Sequence, residues 1–76
     1  MRELIEYIVK SLVINEDQVQ VTENEEDGKT VFHVSVAEED MGRVIGKSGK
    51  VASSIRAIVK SISARQHQDV YVKFGE

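Results

Sequence analysis

The 76-residue sequence contains no cysteine, which removes disulfide frameworks and thiolate metal sites from consideration. No apolar run approaches the length needed to cross a bilayer. Acidic residues interrupt every apolar stretch of the opening MRELIEYIVKSLVI, so no signal peptide is read there. Histidine is scarce: His33 and His67 have no second histidine or cysteine at ligand spacing and are expected on the surface. The acidic cluster ENEED lacks the spacing of a calcium-binding loop. No Ser/His/Asp or Cys/His set and no paired carboxylates form a recognisable catalytic motif, so neither enzymatic activity nor a metal or cofactor is expected. These absences point to a cytoplasmic binding or interaction protein.

What is present is the composition of an ordinary folded chain, 41% hydrophobic and 30% charged. Residues 1–76 are expected to form one small domain, which without disulfide or metal bracing gains from oligomerisation or a larger partner. The net charge of −3 argues, taken alone, against binding a polyanion. Its distribution says otherwise. From Met41 to Gln68 the sequence carries six basic residues (Arg43, Lys47, Lys50, Arg56, Lys60, Arg65) and no acidic one, so all thirteen acidic residues lie outside that segment. Because charges are screened beyond about 8–10 Å, this asymmetry matters more for partner choice than the total.

Leu4, Ile5, Ile8, Val9 and Leu12 recur at helical spacing and predict an amphipathic helix over 2–13. Val19 and Val21 suggest a short strand. TENEEDGK follows as a polar, acidic turn with Asp27-Gly28 as a hairpin signal. Thr30 to Val36 alternates as a strand. Met41, Val44 and Ile45 predict a short helix stopping at Gly46. From Lys50 to about Gln66 runs the strongest helix, with Val51, Ile55, Ile58 and Ile62 as its apolar stripe. A last strand begins at Asp69. The expected architecture is α+β, in the order α-β-β-α-α-β, with a three-stranded sheet packed on one face by helices.

The connection between the two consecutive helices, GRVIGKSGK, ends like a nucleotide-binding P-loop. That motif needs a glycine at position 41, which is Met41, and a buried strand ahead of it, where a helical turn is predicted. The fitting alternative is a helix–G-x-x-G–helix. Glycines at both ends of a four-residue loop let a phosphodiester backbone approach the peptide closely. The following helix aims free N–H groups and the positive end of its dipole at the same phosphates. Lys47, Arg43 and Lys50 add charge, and Ser48 adds a hydroxyl.

DMGRVIGKSGK matches the KH signature D-x-G-R-x-I-G-x-x-G at Asp40, Gly42, Arg43, Ile45, Gly46 and Gly49. Over essentially its whole length the sequence resembles the small bacterial KH-domain RNA-binding proteins of the KhpA family, with the element order of a type II KH fold. The resemblance implies single-stranded RNA as ligand, held at Gly46, Lys47, Ser48 and Gly49, with Gly42, Arg43, Ile45 and Lys50 beside the loop. It further implies an RNA chaperone or post-transcriptional regulator linked to cell-wall biogenesis, division and cell shape. Its form would be a homodimer, or a heteromer with a longer KH-containing protein like KhpB. The acidic turn should not help hold RNA, and two Phe and two Tyr are too few for an aromatic platform of RRM or OB type.

Two features of the long helix fit more than one reading. Arg56 and Lys60 lie opposite the predicted apolar stripe and read as a solvated face, and Arg65 sits in the last turn, where a cation offsets the helix dipole. Ser54, Ala57, Ser61 and Ala64 form a ridge of small residues. With Ile58, they suit either a dimer surface or close packing against the N-terminal helix. The alternative function is a protein-interaction module with a vestigial loop and this small-residue face as its working surface.

Overall fold

A computed structural model describes residues 1–75. The elements are α1 (Arg2–Leu12), β1 (Gln20–Glu26), β2 (Lys29–Ser35), α2 (Met41–Ile45), α3 (Lys50–Arg65) and β3 (Val70–Phe74). Single 3₁₀ turns precede β1, α2 and α3. The order is the expected α-β-β-α-α-β. The sheet has the order β1-β2-β3, with β1 antiparallel and β3 parallel to β2. A parallel pair needs a crossover, and α2 with α3 supplies it.

Strand alternation gives the sheet one apolar face. Val21, Phe32, Val34 and Val72 point from it into a core completed by Ile5 and Val9 of α1, Val44 of α2, and Ile55 and Val59 of α3. Each such side chain contributes about 1.5–3 kcal/mol by leaving water. The opposite face is mostly polar, with buried Val31 and exposed Tyr71 opposite each other in register. There Glu26 Oε2 lies 3.2 Å from His33 Nε2, and Glu26 Oε1 lies 3.5 Å from Lys73 Nζ. The His33 hydrogen bond and the Lys73 charge hold the Glu26 carboxyl below its usual range.

Two expectations need correction. The acidic segment is not a turn: Thr22–Glu26 belongs to β1, in register with Lys29–His33, and the reversal is Asp27-Gly28 alone. Both turn residues have positive φ, 52° and 80°, which gives a two-residue type I′ hairpin. Polar side chains concealed the strand because β1 is an edge, with one row in register with its neighbour and little of its surface buried.

The buried stripe of α3 is likewise rotated by one residue. Ala52, Ile55, Val59 and Ser63 are buried, whereas Val51 and Ile62 are half-buried and Ile58 is 47% exposed. Small Ala52 and Ser63 let α3 lie close on the sheet, and Ser63 satisfies its hydroxyl by donating to Val59 O at 2.7 Å. Ser54, Ala57, Ser61 and Ala64 are exposed, so α1 does not cover the small-residue ridge. No helix among the described residues is long and apolar enough to cross a membrane.

Candidate nucleic-acid interface

The GKSG loop is built by three left-handed residues. α2 ends where Gly46 N–H donates to Gly42 O at 2.9 Å, and Gly46 then takes φ 76°, ψ 174°, a region essentially reserved for glycine. A Cβ there would collide with Val51 Cγ2 and stand 2.8 Å from Val51 Cβ and 2.9 Å from Val51 N. The loop therefore folds directly onto the first turn of α3. Ser48 follows at φ 55°, ψ 28° and Gly49 at φ 74°, ψ 13°, before Lys50 re-enters the right-handed helix. Lys50 N–H donates back to Lys47 O. Gly49 N–H closes the turn on Gly46 O at 3.1 Å.

Around this turn Gly42, Arg43, Lys47, Ser48 and Lys50 are exposed, while Ile45, Gly46 and Gly49 are half-buried. The eight residues singled out in the sequence thus form one contiguous stretch of loop and flanking helix ends. Among the described residues neither Lys47 nor Lys50 makes an ion pair. Ile45 packs its apolar body against the core, which leaves only part of it for a groove. Gly42 sits inside α2 with nothing within 4 Å of where its Cβ would be. A helical glycine costs up to about 1 kcal/mol relative to alanine, and nothing inside the protein requires one here.

Behind the loop stands a fully buried carboxylate. Asp40 accepts from Ile14 N at 3.1 Å, Asn15 N at 2.9 Å and Asn15 Nδ2 at 2.9 Å, and Arg43 Nη1 lies 3.5 Å away. Burial by itself would raise its pKa. The backbone and side-chain hydrogen bonds from Asn15 and Ile14, with the Arg43 charge, outweigh burial and hold it below the usual value. Asp40 thereby ties the α1–β1 connection to the start of α2 and orients Arg43, which also donates to Glu39 O at 3.3 Å. The motif marks this aspartate, but partners 25 and 26 residues away are invisible in sequence.

Arg56 corrects another expectation, since it is not part of a solvated face. It is half-buried, its Nε donates to Val72 O at 2.9 Å, and its guanidinium carbon lies 5.3 Å and 5.4 Å from the ring centroids of Tyr71 and Phe74. The β2–β3 ladder uses Asp69 O and Gly75 N. By the alternation of a parallel ladder, Val72 faces its carbonyl away from β2, so Arg56 caps the free edge of the sheet. A groove of about 680 Å³ runs along this edge beside α3, past Ser53, Arg56, Lys60 and Tyr71, and ends at acidic Glu26 and Asp27. Lys60 and Arg65 are exposed and make no ion pair among the described residues. No cluster of three or more His, Cys, Asp or Glu side chains able to hold a metal occurs among these residues.

A mixed three-stranded sheet, helices on one face, and a glycine-bounded turn joining two of those helices together define a KH domain of the type II order. More narrowly, the chain belongs to the KhpA/KhpB KH-domain family, whose family model matches residues 2–74. It is 41% identical over 73 residues to the RNA-binding protein KhpA of Clostridium acetobutylicum, covering 96% of this chain and 97% of that one. The RNA-binding protein KhpA of Listeria monocytogenes is 40% identical over 76 residues, the full length of both chains. That of Borreliella burgdorferi is 37% identical over 71 residues, covering 93% of this chain and 87% of the relative.

Proposed function

We propose that this protein binds single-stranded RNA, holding the phosphodiester backbone on the Gly46–Gly49 turn with Arg43, Lys47 and Lys50 around it. The observation that carries this reading is the turn itself. Its positive-φ residues, packed against Val51, set exposed Ser48 and two lysines without an ion pair among the described residues at the start of α3, next to a helical glycine with nothing within 4 Å of its Cβ position. Gly42 leaves the approach flat, and Ile45 offers an apolar edge to a base. The names of the relatives, RNA-binding proteins all, support the same ligand.

In this reading residues 1–76 act as one cytoplasmic KH module with no catalytic step. A groove for about four nucleotides reads too little sequence to choose a target alone. The protein would therefore serve as an RNA chaperone or post-transcriptional regulator in a larger assembly, with cell-wall biogenesis, division and shape as its output. The exposed face of Ser54, Ala57, Ile58 and Ser61 is the surface for that assembly, whether with a second copy or with a longer KH-containing, KhpB-like partner.

The decisive variant is Lys47→Asp with Ser48→Asp. Aspartate tolerates the left-handed conformation at 48, so the turn survives while its charge is inverted. Affinity for pooled cellular RNA should fall at least about tenfold, with circular dichroism and thermal midpoint unchanged. Retained affinity would sink the proposal.

A further inference from the structure

We infer that Asn15 is a positioning residue for RNA binding: its amide fills Asp40 Oδ2, which keeps the Asp40–Arg43 pair open and leaves the Arg43 guanidinium available to a phosphate. This rests on the RNA-binding reading above and extends it to the α1–β1 connection, which lies outside the glycine motif.

Asn15 and Asp40 each stand at the N-cap of a helical turn, Asn15 before Glu16–Gln18 and Asp40 before α2. Both are residue types that ordinarily cap such a turn with their own side chain. Neither does so here. Asn15 Nδ2 instead donates to Asp40 Oδ2 at 2.9 Å, across 25 residues of sequence. Two local caps are given up for one long-range contact beside the clamp.

How the carboxylate is shared decides what is left for Arg43. Oδ2 accepts from Asn15 N and Asn15 Nδ2, both at 2.9 Å, while Oδ1 accepts from Ile14 N at 3.1 Å. Arg43 reaches only Oδ1, only through Nη1, and at 3.5 Å. An arginine beside a free carboxylate closes into a two-bond fork. With Oδ2 already taken, that fork stays open. Among the described residues Arg43 Nε and Nη2 have no partner, and the side chain is 46% exposed. Nor does Asp40 depend on the cation. Burial opposes its charge, the Asn15 and Ile14 donors sustain it, and Arg43 contributes least. Arg43 is therefore placed beside α2 without being locked there, which lowers the ordering cost of meeting a phosphate.

Removing the amide should reverse this. In Asn15→Ala one side of Oδ2 opens, Arg43 closes onto it as a fork, and a phosphate contact is lost. Affinity for a labelled random-sequence octaribonucleotide pool, read by anisotropy, should fall about threefold. The slope of log K against log [salt] should move to about −1.4, the value for Lys47 and Lys50 alone. In an Arg43→Gln background the same substitution should change neither quantity. A merely loosened connection would weaken binding equally in both backgrounds and leave the slope where it was. That outcome, or wild-type binding by Asn15→Ala, overturns the inference and leaves the glycine turn standing as the clamp. Should Asn15→Ala not fold, nitrogen-15 NMR of the unaltered protein decides. The Arg43 Nε–H signal should shift at saturation with the pool while the Asn15 Nδ2 hydrogens stay protected from exchange. An Arg43 signal that does not move at saturation overturns the inference. Failure of the unaltered protein to bind the pool overturns it together with the RNA-binding reading.

Discussion

At Gly46 a side chain would have to occupy space already held by Val51, in a backbone region where only glycine is at ease. At Gly49 the backbone is also left-handed, but nothing lies within 4 Å of an added Cβ, and asparagine adopts that conformation at small cost. The two ends of the motif are therefore unequal. Gly46→Ala should destabilise the protein by about 2 kcal/mol or more, and Gly49→Asn by less than about 1 kcal/mol, measured by urea unfolding. Equal losses would show that the loop does not pack on Val51 as described. The spacing of the two glycines was legible in the sequence, and so was the loop they bound. Which of them packs and which only turns was not, because that depends on how closely α3 returns to the loop. The same holds for Asp40, whose place in the motif is visible while its grip on Ile14 and Asn15 is not.

At the scale of the element, α3 shows three working faces. One buries Ala52, Ile55, Val59 and Ser63 against the sheet, one carries Arg56 to the edge of β3, and one leaves Ser54, Ala57, Ile58 and Ser61 exposed. Periodicity located the helix correctly, since Val51, Ile55, Ile58 and Ile62 recur at helical spacing. It set the helix one residue off in rotation, because hydrophobicity ranks Ile58 above Ala52 and Ser63 whereas close packing against a sheet favours the smaller pair. The two sheet edges are protected by different means. β1 carries Glu23, Glu25 and Glu26, and β3 has its central outward carbonyl occupied by Arg56. Association through an exposed strand is thereby disfavoured, which agrees with the proposed use of the outer face of α3. Ala57→Glu places a charge in the middle of that face without touching the core. It should convert the proposed dimer to monomer by light scattering, with the thermal midpoint of the folded unit nearly unchanged. A mass that does not change would remove this face as the contact.

Over the whole molecule the charges are sorted by place, and this reconciles a net charge of −3 with a polyanionic ligand. The acidic strand β1 forms one edge of the sheet, and β3 with its Arg56 cap forms the other. Lys47 and Lys50 carry unpaired charge at the turn, whereas Arg43 shares its charge with Asp40 at 3.5 Å. The number of counterions released on binding should follow that division. Two full phosphate contacts and a third, partly neutralised one correspond to a slope of log K against log [salt] between about −1.4 and −2, at about −0.7 per contact on single strands. Replacing Lys50 with glutamine should bring the slope closer to zero by about 0.7, while the Arg43→Gln change should be smaller because Asp40 already holds part of that charge. Fluorescence anisotropy of a labelled octaribonucleotide across a salt series separates the two. A slope near zero would mean that the glycine turn makes no phosphate contact, and identical slopes for the two variants would mean that Asp40 does not restrain Arg43 when RNA is bound.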